Sequence, residues 1–254
     1  MSLSTGGEIA VPTSESEPGV AALTPAALAP AAPRPSTRQV LSGVAIRIFD
    51  VVFAALLLII LVPLIVVAVI AVRVESAGPV FFRCERVGYR GRRLRMLKLR
   101  KMSPDAQGLA LTTGEDARLT RIGGLLATLR IDEIPQLWHV LRGSMSLVGP
   151  RPEAAEFVGL HPEEYTEILS VRPGITGLSQ IAFVDERRIL DPADPVGHYV
   201  SRILPQKVAL DRMYANRRSL AFNLRILFWT AATLLVGCDV AVHRDTGKMN
   251  IRRR

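Results

Sequence analysis

Asp132 and Glu133 stand side by side near the head of RIDEIPQLWHVLRGSMSLVGPRPE, a stretch that closes on Arg151 between Pro150 and Pro152. An acidic pair joined to a proline-held guanidinium through one short amphipathic segment reads as a site. Two further stretches add fixed cations. VRPGITGLSQ offers Arg172 beside a Pro-Gly turn, and the basic run ending in KLRKM places Lys98 and Arg100 on alternating positions nearest the other motifs. The cations of the basic run suit an anionic partner, either a lipid headgroup or a phosphate. The acidic pair also has a structural explanation, because a helix N-terminus attracts negative charge and Asp is a good N-cap.

The elements that must position these groups follow from periodicity. Ile131, Ile134, Leu137, Trp138 and Leu141 recur at helical spacing, Pro135 suits a first turn and Gly143 can end it, which puts both carboxylates at a helix start. A second helix is predicted from about Ile122 to Arg130, with Asp116 and Thr120 as capping residues. After Pro79, VFFRCERVGYRGRRLRMLKLRKM alternates apolar and basic residues around a Gly88–Gly91 turn, the pattern of a half-exposed β-hairpin. Its Arg83, Arg86, Arg90, Arg92, Arg93, Arg95, Lys98, Arg100 and Lys101 face only Glu85, so it forms either a lipid-facing surface or a phosphate-binding wall. The surface role suits most of them; Lys98 and Arg100 are assigned to the wall.

Every residue from Val51 to Val72 is apolar, enough for a membrane helix. Pro63 near its middle removes a backbone hydrogen bond and marks a membrane break or kink. Arg38 and Arg47 precede the run and Arg73 follows it, so the rule that positive charge stays in the cytoplasm asks both ends to lie on one side. A re-entrant helix-break-helix satisfies that, and about a dozen residues per arm at roughly 1.5 Å each stop short of crossing a core of roughly 30 Å. An ordinary kinked transmembrane helix is the alternative. The shorter apolar stretch Ile226–Gly237, with Phe228 and Trp229, suits either the headgroup boundary or a buried helix.

Composition narrows the class further. The 254 residues are 49% hydrophobic yet carry a formal charge of +9, which together point to an anionic membrane surface. Only Cys84 and Cys238 are present and His139, His161, His198 and His243 are scattered, so neither a disulfide framework nor a zinc site is indicated. No helix-turn-helix, zinc-finger or RNP-type pattern accompanies the charge, and nucleic acid is not an expected partner. Residues 1–39 form an Ala/Pro-rich tail expected to be disordered, and 241–254 a basic C-terminal tail. The fold class expected is α+β, mainly helical. It comprises a re-entrant or kinked membrane helix over 40–75 and a catalytic domain over 76–240, in which amphipathic interfacial helices and the small basic hairpin surround a compact cytosolic body.

The ordered set formed by the Pro-interrupted apolar segment, PVFFRCERVG, KLRKM, RIDEIPQLWHVLRGSMSLVGPRPE and VRPGITGLSQ resembles the bacterial sugar transferase family of small monotopic phosphoglycosyl transferases, over about residues 44–235. The resemblance implies transfer of a sugar 1-phosphate from a UDP-sugar to polyprenol (undecaprenyl) phosphate with release of UMP. This is the first membrane step in building surface glycans such as exopolysaccharide, at the cytoplasmic face of the bacterial inner membrane. It further implies that Asp132 is the nucleophile of a covalent phosphosugar intermediate and a ligand of Mg²⁺. Glu133 then supports the metal or activates the acceptor, and Arg151, with Lys98, Arg100 and Arg172, grips phosphate. An ordinary Asp, with a pKa of roughly 3.9, is ionised at neutral pH and needs no general base to attack phosphorus. Three positions depart from the family pattern: Ala127 stands where an Arg usually supports the helix break, Val62 where Ser precedes the proline, and Asn223 where Asp is usual. Asp211 and Tyr214 keep a family-like Asp-x-x-Tyr spacing. The alternative function is a non-catalytic membrane-tethered protein that binds anionic lipid through its basic face.

Overall fold

A helix of 39 residues, α1 (Thr37–Glu75), is the first element among the described residues of the computed structural model, which are 37–103, 106, 116–243 and 246–251. Leu41–Glu75 is long and apolar enough to cross a membrane by length and composition. The backbone stays helical through Pro63. One face of α1 turns to the rest of the protein: Ile46, Asp50, Ala54, Ala68 and Val72 are buried and recur at helical spacing, while Ile59, Ile60, Val67 and Ile70 are exposed. Polar contacts fix both ends to the same body. Near the start, the Arg47 guanidinium donates to the Val140 and Leu141 carbonyls at 2.6 and 2.9 Å. Asp50 accepts from the Ser146 hydroxyl at 2.6 Å and from the Leu147 N–H at 3.1 Å. Near the end, the Ile122 N–H donates to Glu75, and Arg100 donates to the Ser76 and Ala77 carbonyls and the Ser76 hydroxyl.

The predicted hairpin is present as β1 (Phe81–Val87) and β2 (Arg93–Leu99), antiparallel, with Phe82 opposite Lys98 and Val87 opposite Arg93. Leu94 and Met96 are buried, and the period of two puts Lys98 on their side of the strand. The next helix, α2 (Arg121–Thr128), starts one residue earlier than expected, with the Thr120 hydroxyl accepting from the Gly123 N–H. A 3-10 turn (Ile131–Gln136) then runs into α3 (Leu137–Arg142), which ends on Gly143 at φ +81°. His139 of α3 accepts the Leu97 N–H on Nε2, a packing contact that ties α3 to the hairpin.

Two short strands hold the proline-arginine turn. β3 (Ser146–Val148) pairs in parallel with β4 (Gly174–Thr176), and the Gly174 N–H donates to the Pro150 carbonyl at 2.9 Å, which brings GPRP and VRPG side by side. Their approach admits no side chain between them: a Cβ on Gly174 would sit 2.0 Å from the Gly149 nitrogen, and one on Gly149 2.4 Å from the Arg172 carbonyl oxygen. Short helices α4 (Ala155–Val158) and α5 (Pro162–Ile168) lie between these strands in sequence, and α6 (Leu178–Ala182), α7 (Glu186–Ile189) and α8 (Pro195–His198) follow. A π-helical turn leads into α9 (Leu204–Arg217), and α10 (Leu220–Val236) comes last. In α10, Asn223 and Ile226 are buried while Phe228, Leu234, Leu235 and Val236 are exposed, so the second apolar stretch is core at one end and surface at the other. Two tail expectations need adjusting. Residues 37–39 already belong to α1, the rest of 1–39 lying outside the described residues. The end of the chain carries an antiparallel pair, β5 (Val240–Val242) and β6 (Met249–Ile251), with Val240 and Met249 in the core.

Candidate active site

The capping explanation of the acidic pair does not hold. The residue at the N-cap of the 3-10 turn is Arg130, in the left-handed region at φ +58°, and no side chain caps that end. Asp132 and Glu133 are instead buried, with 3% and 8% of their surface exposed, and their surroundings differ. Glu133 Oε1 accepts from Lys98 Nζ at 2.9 Å and from Arg151 Nη2 at 2.8 Å. Burial alone would raise its pKa, but Arg151 and Lys98 overcome that and hold the carboxyl well below the usual range. The same ion pair holds Arg151 firmly in its charged form.

Asp132 has no hydrogen-bond or ion-pair partner among the described residues. Burial and the like charge of Glu133 push its pKa up, against the pull of Lys98, Lys101 and Arg130. It is therefore not the ordinary aspartate assumed from sequence, and its ionised form depends on the cations around it. Four of these, Lys98, Lys101, Arg130 and Arg151, act on the carboxylates, and Arg187 acts in turn on Lys101 and Arg130. Burial lowers the pKa of Lys101, with Asp132 opposing the shift.

Of the residues assigned from sequence, the structure brings together Asp132, Glu133, Lys98 and Arg151. Arg100 goes elsewhere. Strand β2 ends at Leu99, so the alternation that placed Arg100 beside Lys98 stops one residue short, and its guanidinium closes the C-terminal end of α1. The Arg172 guanidinium donates to the Gly143 carbonyl at 2.8 Å and lies 5.3 Å from the Tyr89 ring, joining the hairpin tip to the end of α3. Pro63 lies inside α1. Sequence reasoning left out Lys101, Arg130 and Arg187; for Arg130 the one available signal was its position two residues before the aspartate.

A second layer fixes the arginine loop. Glu153 accepts from Tyr199 at 2.8 Å and from Lys207 at 3.0 Å, and Lys207 also reaches Glu186 on α7 at 3.1 Å. Asp211 is buried beneath this loop. Burial pushes its pKa up to about 7, offset only in part by Ser179, Lys207 and the Arg151 backbone, and its Oδ1 has no partner among the described residues. Asn223, at the position that departs from the family pattern, accepts the Tyr214 hydroxyl at 2.9 Å. Gln136, one turn after Asp132, is 1% exposed and its Nε2 has no partner among the described residues.

The donor set suits a hard cation. Asp132 is unpaired and Glu133 bonds its neighbours through one oxygen, leaving carboxylate oxygens for a metal. No cluster of three His, Cys, Asp or Glu that could hold a metal occurs among the described residues. A cation here would take its remaining ligands from water or substrate phosphates, the habit of Mg²⁺.

The profile of a family described as Bacterial sugar transferase matches residues 41–237. A Caulobacter vibrioides protein named UDP-glucose:undecaprenyl-phosphate glucose-1-phosphate transferase is 39% identical over 194 residues, covering 74% of this chain and 69% of that protein. The undecaprenyl-phosphate glucose phosphotransferase of Komagataeibacter xylinus is 39% identical over 194 residues, 72% of this chain and 34% of its own. In Aeromonas hydrophila, a UDP-N-acetylgalactosamine-undecaprenyl-phosphate N-acetylgalactosaminephosphotransferase is 34% identical over 201 residues, 75% of this chain and 44% of its own. The chain thus spans less than half the length of the last two.

Proposed function

We propose, from the premise that the chain belongs to the bacterial sugar transferase family, that it transfers a sugar 1-phosphate from a UDP-sugar to a polyprenol phosphate and releases UMP. The observation that carries this reading is the inequality of the two carboxylates. Glu133 is held by Lys98 and Arg151, while Asp132 is buried without a partner among cations that outnumber the acidic pair. An unpaired carboxylate in such a setting is a nucleophile for an anionic electrophile, since the surplus positive charge offsets the repulsion of the approaching diphosphate.

In the first step Asp132 attacks the phosphorus that bears the sugar. An acyl phosphate, a mixed anhydride of the Asp132 carboxyl and the sugar phosphate, forms, the bridging P–O bond breaks, and UMP departs with that oxygen. In the second, a phosphate oxygen of the polyprenol phosphate attacks the same phosphorus, the bond to Asp132 breaks, and polyprenol diphosphate sugar leaves. Arg151, fixed by Glu133, and Lys98 hold the transferring phosphate. Mg²⁺, held by Asp132 and by Glu133 in support, would neutralise further negative charge on the diphosphate.

The membrane reading follows from how α1 is anchored. Arg47 and Asp50 near one end, and Glu75, Ser76 and Ala77 near the other, are tied to the same folded body. A simple crossing would put these ends on opposite sides of the bilayer, so both ends belong on one side, and soluble UDP-sugar makes that side cytoplasmic. The deciding experiment mixes the protein, Mg²⁺ and UDP-sugar without lipid acceptor. About one equivalent of UMP per protein is expected; an enzyme that turns over with acceptor yet releases no UMP beforehand would rule out the covalent route.

A further inference from the structure

Beside the acidic pair opens a second space, a cavity of about 460 Å³ bounded by Leu119, the 124–130 stretch, the 184–188 stretch and the end of α10. Three arginines line it: Arg130, Arg187 and Arg188. Arg130 connects it to the reacting groups, because its charge acts on both Asp132 and Glu133 while its Nη2 donates to the Val184 carbonyl on the cavity wall. The Arg187 and Arg188 side chains have no hydrogen-bond or ion-pair partner among the described residues. The acids on the wall are Asp185 and Asp239, of which Asp239 is already engaged. Positive charge therefore exceeds negative on this wall, and Arg130 links it to the acidic pair.

Resting on the transfer reading above, we propose that this cavity seats the phosphate monoester head of the polyprenol phosphate acceptor, separately from the UDP-sugar. Two features select the lipid over the nucleotide. The described lining contains no aromatic ring on which a base could stack. The cavity also reaches Thr233, Leu234 and Gly237 at the end of α10, where Leu235 and Val236 are 84% and 74% exposed, an apolar path along which an isoprenoid chain can leave toward the bilayer. A volume of this size takes the phosphate and the first part of the chain and leaves the remainder in lipid.

The test uses the full chain in detergent with Arg188→Ala and its counterpart Arg188→Lys. Farnesyl phosphate is titrated and followed by ³¹P NMR, with farnesol and UMP as controls. The Ala variant should weaken farnesyl phosphate about tenfold, a change of about 1.4 kcal/mol, and the Lys variant should recover part of it. UMP affinity and the UMP burst without acceptor should stay within twofold, while KM for polyprenol phosphate rises about tenfold. Unchanged farnesyl phosphate binding would overturn the assignment, as would a matching loss of UMP affinity, which would make the cavity the nucleotide site. Failure of the transfer reading shows differently: the wild-type protein would make no product at all, while the binding comparison would still decide the cavity.

Discussion

Replacing each carboxylate of the pair with its amide separates stability from chemistry in opposite directions. Glu133→Gln keeps an acceptor oxygen for Lys98 and Arg151 but removes the charge they share. A hydrogen bond to a charged group contributes about 1.5–3 kcal/mol against about 0.5–1.5 for a neutral one, so two weakened bonds lose roughly 2–3 kcal/mol. Cations left without their buried counter-charge move the loss toward about 3–5 kcal/mol. At roughly 2–4 °C per kcal/mol for a chain of this size, Tm should fall on the order of 5–15 °C. Asp132→Asn breaks no pairing. Because burial and Glu133 raise the folded pKa of Asp132, the native state binds that proton more tightly than the unfolded chain does. The ionised side chain therefore subtracts from stability above its folded pKa, and native stability rises as pH falls from there toward the ordinary value of roughly 3.9. Asparagine removes the penalty, so Tm should hold or rise while the UMP burst drops by several orders of magnitude. The assay is a thermal melt of the full chain in one detergent, paired with UMP release. If Asp132→Asn melts below Glu133→Gln, the division between a paired and an unpaired carboxylate is wrong.

Three further outcomes follow from the same geometry. Arg100→Ala should lower Tm by removing three hydrogen bonds from the end of α1 while leaving KM for UDP-sugar unchanged, whereas Lys98→Ala should raise that KM; a reversed pattern would return Arg100 to the phosphate wall. Asp211, with its pKa raised to about 7 from 3.8, favours its protonated form in the native state, so it contributes a loss of stability as pH rises from about 4 through 7. Asp211→Asn should flatten the fall of Tm between pH 5 and 8, and an unaltered slope would show that another group governs it. Single cysteines at Leu41→Cys and Ala77→Cys, in a chain with Cys84 and Cys238 changed to Ser, should react with a membrane-impermeant maleimide from the same side of sealed vesicles; labelling from opposite sides would establish a crossing.

What could be read from sequence was local. The hairpin came from alternation, α2 from Thr120 and its apolar repeat, and the end of α3 from Gly143, because each signal lies within a few residues of the structure it specifies. The carboxylates and Arg151 were legible as a motif, but not the fact that one carboxylate is paired and the other is not. That depends on Lys98 crossing from β2, 35 residues away. Arg100 shows the limit of extrapolating a pattern: alternation holds inside a strand and says nothing past its end. Lys101 and Arg187 gave no local sign, since their proximity to the site comes from how β2 and α7 meet the 3-10 turn, and a basic residue in a basic stretch looks the same whether it faces lipid or a buried acid. The parallel pairing of β3 with β4 was equally hidden, each being three residues long and separated by more than two dozen.

The arrangement assigns Glu133 a part distinct from attack. An anionic diphosphate approaching Asp132 would raise its pKa further, toward a protonated and unreactive carboxyl, unless positive charge is already in place. Positive charge placed there without an anion would repel itself and splay outward. Glu133 meets both needs through one oxygen, gathering Lys98 and Arg151 against the site before any substrate arrives. Lys101 and Arg130 are left to act on Asp132. Under the proposed reaction, the carboxylate with the ion pairs is the scaffold and the one without them is the nucleophile. Exchanging the two acids for amides measures that distinction, because pairing is visible in Tm and reactivity in UMP.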